Sequence, residues 1–314
     1  MEKYILYQPL HGLTVELHML EMAMLLGELL DRTVVLPIIP NLETQVYRKG
    51  LNFYFNIPDS FRWISNDMFY QTRKKIDVTF RIIPHYKKEY NSNAIKNTHP
   101  VWLDGIHNSP YFEIIGYNQN KVKTISLNYQ LDKTTVLELF ETDEEVIAFS
   151  YINGLLDDSF YRRNISRDSY KYYRTTPSTP SNIFMDKAKE MIANREFAAV
   201  HWRRGMNMDV VIKELWKKDA LPDAPDVQKH IPEKYSLLFL ATDVDGYLFD
   251  PEQKYTYINH GCYADEPNDR AMMDMSMCIL SDFFVGNYYS AFSRYIYHSR
   301  CALGKDNLKN HFVL

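Results

Sequence analysis

Phe197-Ala-Ala-Val-His-Trp-Arg-Arg-Gly205 is a short apolar run that ends abruptly in His201, Arg203, Arg204 and Gly205. A run of this length and composition is that of a buried parallel strand. Open α/β sheets bind ligands outside the carboxyl ends of their strands, so two guanidiniums delivered there build an anion site. Arginine suits such a site because its planar fork makes bidentate, charge-assisted bonds to phosphate oxygens. Gly205 lets the backbone turn closely around a bound group. On the tetrapeptide alone, the alternative is that Arg203 and Arg204 alternate between two faces and pair with surface carboxylates.

Two stretches downstream have the same form. Tyr235-Ser-Leu-Leu-Phe-Leu-Ala-Thr-Asp243 is a continuous apolar strand with Thr242 and Asp243 at its end. Ala264-Asp-Glu-Pro267 carries helix-start chemistry, acids and a proline in the first turn, for a helix running to about Leu280. Its apolar side holds Ala271, Met275, Cys278 and Ile279. Phe283-Phe-Val-Gly286 is a third strand, Asn287-Tyr-Tyr-Ser-Ala-Phe-Ser293 turns out of it, and a terminal helix begins near Ser293. Side by side in a parallel sheet, these strands bring His201, Arg203 and Arg204, Thr242 and Asp243, and Asn287, Ser290 and Ser293 to one edge. That set reads as a nucleotide site, with arginines for phosphate and a carboxylate and hydroxyls for ribose and base edge.

The amino-terminal half opens as a βαβ unit. Tyr4–Tyr7 is a first strand, and Gln8-Pro-Leu-His-Gly12 is a loop. Leu13, Leu17, Leu20, Ala23, Met24, Gly27 and Leu30 recur at helical spacing, and Thr33-Val-Val-Leu-Pro37 is a second buried strand. With one glycine in its turn, the loop is not a dinucleotide fingerprint. Residues 40–130 are rich in Tyr, Phe, Asn and His and show few clean periods. Thr134 to Phe149 is a helix-like stretch ending in an apolar run, and Tyr170 to Ser181, with two prolines and many hydroxyls, is a loop or linker. Ile183 to Asn194 is an amphipathic helix, Val210 to Lys218 is helical, and the proline-rich segment 221–232 is a loop.

A chain of 314 residues is long for one core, which predicts two domains, divided here as 1–175 and 176–314. A hydrophobic content of 46% with 24% charged residues is that of a soluble globular protein. The net charge of -4 gives no reason to expect a nucleic-acid or membrane surface as partner. Arg73-Lys-Lys75 and Lys87-Lys88 read as solvated faces. The three cysteines, Cys262, Cys278 and Cys301, lack metal-ligand spacing and read as reduced thiols, with Cys278 buried on a helix. The opening Met-Glu-Lys-Tyr-Ile-Leu-Tyr holds no long apolar run, so neither a signal peptide nor a membrane span is expected and a cytoplasmic location is.

Four stretches resemble the GDP-fucose-dependent fucosyltransferase superfamily, which includes protein O-fucosyltransferases and α1,6-fucosyltransferases. Val200-His-Trp-Arg-Arg-Gly205 is similar to its His-x-Arg-Arg-Gly segment, and Phe239-Leu-Ala-Thr-Asp243 to its strand ending in a carboxylate. Asp274 through Ser293 is similar to its Ser-Asp-x-Phe-Val-Gly-Asn-x-x-Ser-x-Phe block, and Gly12 with Asp31-Arg-Thr-Val-Val-Leu-Pro37 matches its amino-terminal signature. The resemblance implies an α/β, GT-B-like fold: two facing Rossmann-like domains with the active site in the cleft between them, acceptor-side domain first. It also implies an inverting hexosyltransferase with GDP-fucose as donor substrate, a glycan or protein acceptor, and neither cofactor nor metal. By position, Arg203 would hold the β-phosphate and the oxygen of the breaking glycosidic bond, with His201 and Arg204 beside the nucleotide. Asp243, Asp282, Asn287, Ser290, Phe292 and Ser293 would lie near guanine, ribose or pyrophosphate, and Gly12 in the first loop.

Where the superfamily's first loop reads Gly-Gly-x-Asn-Asn-Gln, this chain has His11-Gly-Leu-Thr-Val-Glu16. His11 and Glu16 are the replacements available for a catalytic base; an imidazole titrates near neutral pH and suits the role. Two other readings stand beside this one. Asp243-Val-Asp245 is literally the Asp-x-Asp of metal-dependent glycosyltransferases. A chain with an altered first loop could also be a GDP-binding interaction module without turnover. A thermal-shift panel of nucleotides and nucleotide sugars separates the superfamily reading from its rivals: GDP and GDP-sugars should stabilise the protein, and a preference for UDP would overturn the resemblance.

Overall fold

Tyr4–Tyr7 (β1) is buried along its whole length, as a strand covered on both faces must be. The computed structural model describes residues 2–9, 13–40, 47–59, 61–72, 76–84, 122–150, 152, 155–156, 179–203, 223–243, 249–258, 266–287, 290–305 and 310–313. By its contacts the chain forms two units, Met1–Phe53 with Ile57–Tyr172, and Tyr54–Asn56 with Tyr173–Leu314.

In the first unit, β1 is followed by helix α1 (Leu13–Leu29) and by β2 (Thr33–Leu36), which lies parallel to β1. Gly27 lets the helix lie close to the strands: a Cβ there would meet Val34 Cγ2 at 2.8 Å and the Arg32 carbonyl oxygen at 2.9 Å. The expected stripe from Leu13 to Gly27 is buried, but so are Met19, Met22 and Leu26, so α1 is covered on more than one face. Leu30 falls just beyond the helix and is half-buried.

The segment that showed few periods holds an antiparallel pair, β3 (Ile38–Pro40) and β4 (Tyr47–Gly50), then α2 (Leu51–Tyr54) and β5 (Phe55–Asn56). It continues through β6 (Trp63–Ser65), α3 (Asn66–Thr72), β7 (Val78–Pro84) and β8 (Val122–Leu127). The stretch read as helix-like up to Phe149 is two elements. Helix α4 (Lys133–Phe140) is started by Asp132, whose Oδ1 accepts from the Thr135 N–H at 2.8 Å, and the apolar run beyond it is β9 (Val146–Phe149), buried throughout. Six strands form one sheet in the order β6-β2-β1-β9-β7-β8, and every neighbouring pair is parallel. Counted in chain order this is 3-2-1-6-4-5, and the winding direction reverses between β1 and β9.

The second unit takes β5, paired antiparallel with β10 (Thr179–Pro180), and continues with α5 (Asn182–Ile192) and β11 (Ala198–Trp202). Helix α6 (Ala224–Gln228) lies inside the segment expected to be a loop. Asp223 accepts from the Asp226 N–H at 3.0 Å and Pro225 stands in the first turn, so these residues start a helix. Next come β12 (Leu237–Thr242), β13 (Thr256–Tyr257), α7 (Pro267–Leu280), β14 (Phe283–Asn287), α8 (Ala291–Ala302) and β15 (Asn310–Val313). The five strands β13-β12-β11-β14-β15 are all parallel, a 3-2-1-4-5 order with the arginine-bearing strand β11 at the centre. Ala198, Val200 and Trp202 face a core of Val227, Leu238, Phe249 and Val285. The period of two therefore gives Ala199, His201 and Arg203 to the other face. The helix expected at Val210–Lys218 and most of the linker at 170–181 lie outside the described residues.

The amino edge of the second sheet is held by a cation. Arg300 of α8 is fully buried, and its Nη1 donates to the carbonyls of Cys278 at 3.0 Å, Ile279 at 3.1 Å and Ser281 at 2.6 Å. These are carbonyls left over at the end of α7, where a cation also meets the negative pole of the helix. Burial lowers the Arg300 pKa to about 10, which leaves it charged at neutral pH. Cys278 is buried in α7 as expected, and burial pushes its thiol well above the ordinary value. Among the described residues no helix is long and apolar enough to cross a membrane.

Arg300→Met should cost about 3–5 kcal/mol of unfolding free energy, because it leaves several buried carbonyls without a donor. Urea denaturation checks this; a loss below about 1 kcal/mol would mean that α7 does not depend on this cap.

Candidate functional site

The winding direction in the second sheet reverses at β11, which has β12 on one side and β14 on the other. The carboxyl end of β11 is thus a topological switch point, the place where open α/β sheets bind ligands. Trp202 and Thr242 are register partners, so the residues that follow them, Arg203 and Asp243, leave their strands side by side. Arg203 Nε lies 3.5 Å from Asp243 Oδ2, with 46% and 32% of the two side chains exposed. A pair so exposed is worth about 0–1 kcal/mol, so it orients the guanidinium more than it stabilises the fold. The contact engages Nε and leaves the two terminal nitrogens outside it.

Behind this pair lies a buried polar cluster. His201 is 8% exposed, its Nδ1 is 2.6 Å from Ser293 Oγ, and its ring centroid is 4.8 Å from that of Phe292. Ser293 Oγ also accepts from the Asn287 N–H at 3.0 Å. Having accepted that bond, the hydroxyl is best satisfied by donating to Nδ1, which places the imidazole proton on Nε2. Ser290 caps α8, its Oγ accepting from the Ser293 N–H at 3.4 Å. Gly286 makes room for this: a Cβ there would meet Phe284 Cε1 at 2.8 Å and Ser293 Cβ at 3.0 Å. Burial pushes the His201 pKa down to about 3; the Arg203 charge adds to the effect and Asp243 opposes it.

The fold therefore brings together His201, Arg203, Asp243, Asn287, Ser290, Phe292 and Ser293. Asp282 is not at this edge. Its N–H donates to the Phe197 carbonyl and its Oδ2 accepts from the Phe197 N–H, each at 3.0 Å, so it joins the amino ends of β11 and β14. A residue just before a strand lies one strand length from that strand's carboxyl end, here about 16 Å. Glu16 belongs to the first unit, where it is fully buried in the first turn of α1, an end that favours a carboxylate. His11, Gly12 and Arg204 lie outside the described residues, as does Asp245. Two roles escaped the sequence reading: Ser293 as the joint between three elements, and Gly286 as the space it occupies. The spacing Gly286-Asn287-x-x-Ser290-x-x-Ser293, a strand end followed by a helix cap and its third residue, is the signal for both.

No family model matches the chain, and no curated protein does. Solved structures match it in fold. POFUT1 in complex with GDP is 18% identical with a TM-score of 0.68, over 99% of this chain and 98% of that one. POFUT1 in complex with GDP-fucose is 17% identical with a TM-score of 0.68, over 99% and 97%. NodZ alpha-1,6-fucosyltransferase co-crystallized with GDP is 14% identical with a TM-score of 0.52, over 95% and 92%. The α/β fold of this chain is the fold of those proteins.

The His201 environment sets a pH dependence. Its folded pKa of about 3 lies below the ordinary 6.5, so below pH 6.5 the unfolded chain takes up a proton that the folded chain refuses. The stability tied to the neutral ring is complete above about pH 6.5 and is lost as pH falls toward 3, at about 1.4 kcal/mol per pH unit. Between pH 7.5 and 5, His201→Gln should lessen the pH slope of the unfolding free energy by about one proton. An unchanged slope would place His201 in contact with solvent.

Proposed function

We propose that the chain is a glycosyltransferase that moves fucose, or a related deoxyhexose, from a GDP-sugar to a hydroxyl of a glycan or protein acceptor. The observation that carries this is the meeting of Arg203, Asp243 and the His201–Ser293 pair at the switch point of a sheet whose fold is that of POFUT1 bound to GDP-fucose. In this reading residues 176–314 bind the nucleotide sugar and 1–175 take the acceptor side.

The chemistry follows from the residues. The bond between the sugar's anomeric carbon and the β-phosphate oxygen breaks, and its electron pair leaves with GDP. The acceptor oxygen bonds to the anomeric carbon from the opposite face, with inversion, and gives its proton to a base. Negative charge grows on the departing phosphate, where a preorganised guanidinium is most effective. The terminal nitrogens of Arg203 supply the fork, Asp243 holds its direction, and the Nε2–H of His201 is a second, neutral donor. His201 is not assigned the base, since its ring is buried and the Nδ1 lone pair is already taken up by the Ser293 hydroxyl. His11 and Glu16 remain the candidates for that proton.

The reaction is proposed to need no metal. Asp243 is already opposite a guanidinium, and a cation bound there would have to displace or repel Arg203. Activity should survive excess EDTA.

Arg203→Ala should lower kcat by about a hundredfold to a thousandfold, the value of one preorganised donor at a developing anion, about 3–4 kcal/mol. Arg203→Lys should be nearly as poor, since a point charge does not reproduce the fork. Steady-state kinetics with GDP-fucose checks both; a variant that retains most of its kcat removes Arg203 from the mechanism. Tight GDP binding by calorimetry without turnover would instead support a silent GDP-binding module.

A further inference from the structure

The first unit has its own switch point, between β1 and β9, and two buried polar side chains stand there. Gln8 follows β1 directly and its N–H donates to the Phe149 carbonyl at 3.0 Å, extending the ladder by one residue. Ser150 follows β9, and its N–H donates to the Phe80 carbonyl at 3.0 Å. Both backbone N–H groups are thus bonded within the sheet without help from the side chains. Gln8 is 1% exposed, and its Oε1 is buried with no hydrogen-bond partner among the described residues. Ser150 is 6% exposed; its Oγ accepts from the Ile82 N–H at 3.1 Å, leaving the hydroxyl's proton to donate elsewhere.

A buried amide oxygen without a donor destabilises the fold, and native proteins rarely keep one without a use. A carboxamide offers both donor and acceptor, and so does a hydroxyl. Both residues are neutral, so they do not compensate a phosphate charge. They match a group that itself donates and accepts while carrying no charge, such as a hydroxyl on a sugar ring. We propose that Gln8 and Ser150 form a hydrogen-bonding subsite for a neutral sugar at the carboxyl edge of the six-stranded sheet. Only the choice of sugars to test rests on the fucosyl-transfer reading.

The sugar could be that of the donor or that of the acceptor, and two arms distinguish them. In the first, calorimetry compares GDP with GDP-fucose. Gln8→Leu should leave the affinity for GDP unchanged and weaken GDP-fucose about tenfold if the donor sugar is held. In the second, saturation-transfer NMR with the methyl glycosides of fucose, galactose and N-acetylglucosamine, with and without GDP, should lose a signal in Gln8→Leu if an acceptor sugar is held. In either case the melting temperature should rise by a few degrees, because the variant removes a buried acceptor that the fold does not satisfy. Ser150→Ala provides a second variant should leucine fit badly. If both variants keep the wild-type affinities and glycoside signals, the amide meets only a trapped water and the proposal is overturned. Failure of GDP to bind at all would sink the proposed function but not this subsite, which the glycoside arm without nucleotide still tests.

Discussion

One hydroxyl joins the candidate site. Ser293 Oγ meets His201 at the end of β11 and the Asn287 N–H at the end of β14, while its own backbone starts α8. A strand far upstream, β11, is thereby fixed to the neighbouring β14 and α8 by a side chain with one proton and two lone pairs. Because the site is buried, these bonds are stronger than in water, and each would be costly to leave unmade. The consequence is a histidine whose ring direction is set by the fold.

The two ends of the second sheet manage charge in opposite ways. At the amino edge Arg300 is fully buried and its donors go to carbonyls at the end of α7, with Lys305 Nζ adding a bond to the Leu280 carbonyl at 2.7 Å. That positive charge serves the fold. At the carboxyl edge Arg203 stays partly exposed, held by one carboxylate at 3.5 Å. Little of the folding free energy depends on this pair, so its orientation can be used on a ligand. The neutral His201 behind it supplies a hydrogen bond without repelling the guanidinium. A charged imidazole there would compete with Arg203 for Asp243 and disfavour the pair.

Much of this was legible in the chain itself. The strands around Val200, Leu240 and Val285 are continuous apolar runs, and each changes to polar residues at its end, so both their existence and their polarity could be read locally. Helix α1 was readable for the same reason, though its extra buried residues Met19, Met22 and Leu26 were not, since a stripe reports one packing partner and not two. The apolar run at Val146–Phe149 is visible in the sequence, but a tetrapeptide has no period of its own to mark it as the strand β9. Helix α6 is hidden in the sequence because a proline-rich segment resembles a loop, whereas Asp223 and Pro225 together form a helix start.

The sequence by itself determined which residues end β11, β12 and β14 of the second unit, and with them the candidates for binding an anion. Strand order was decided only in the tertiary structure, since parallel pairing is non-local: the register that sets Trp202 beside Thr242 joins residues forty positions apart in the chain. That order placed β11 at the centre, brought Arg203 to Asp243 and His201 to Ser293, and sent Asp282 to the opposite edge, bound to Phe197. Asp282 precedes β14 in the chain, so parallel pairing with β11 puts it at the amino edge beside Phe197. Which end faces a ligand depends on the direction the whole sheet runs, and that is a property of all its strands together.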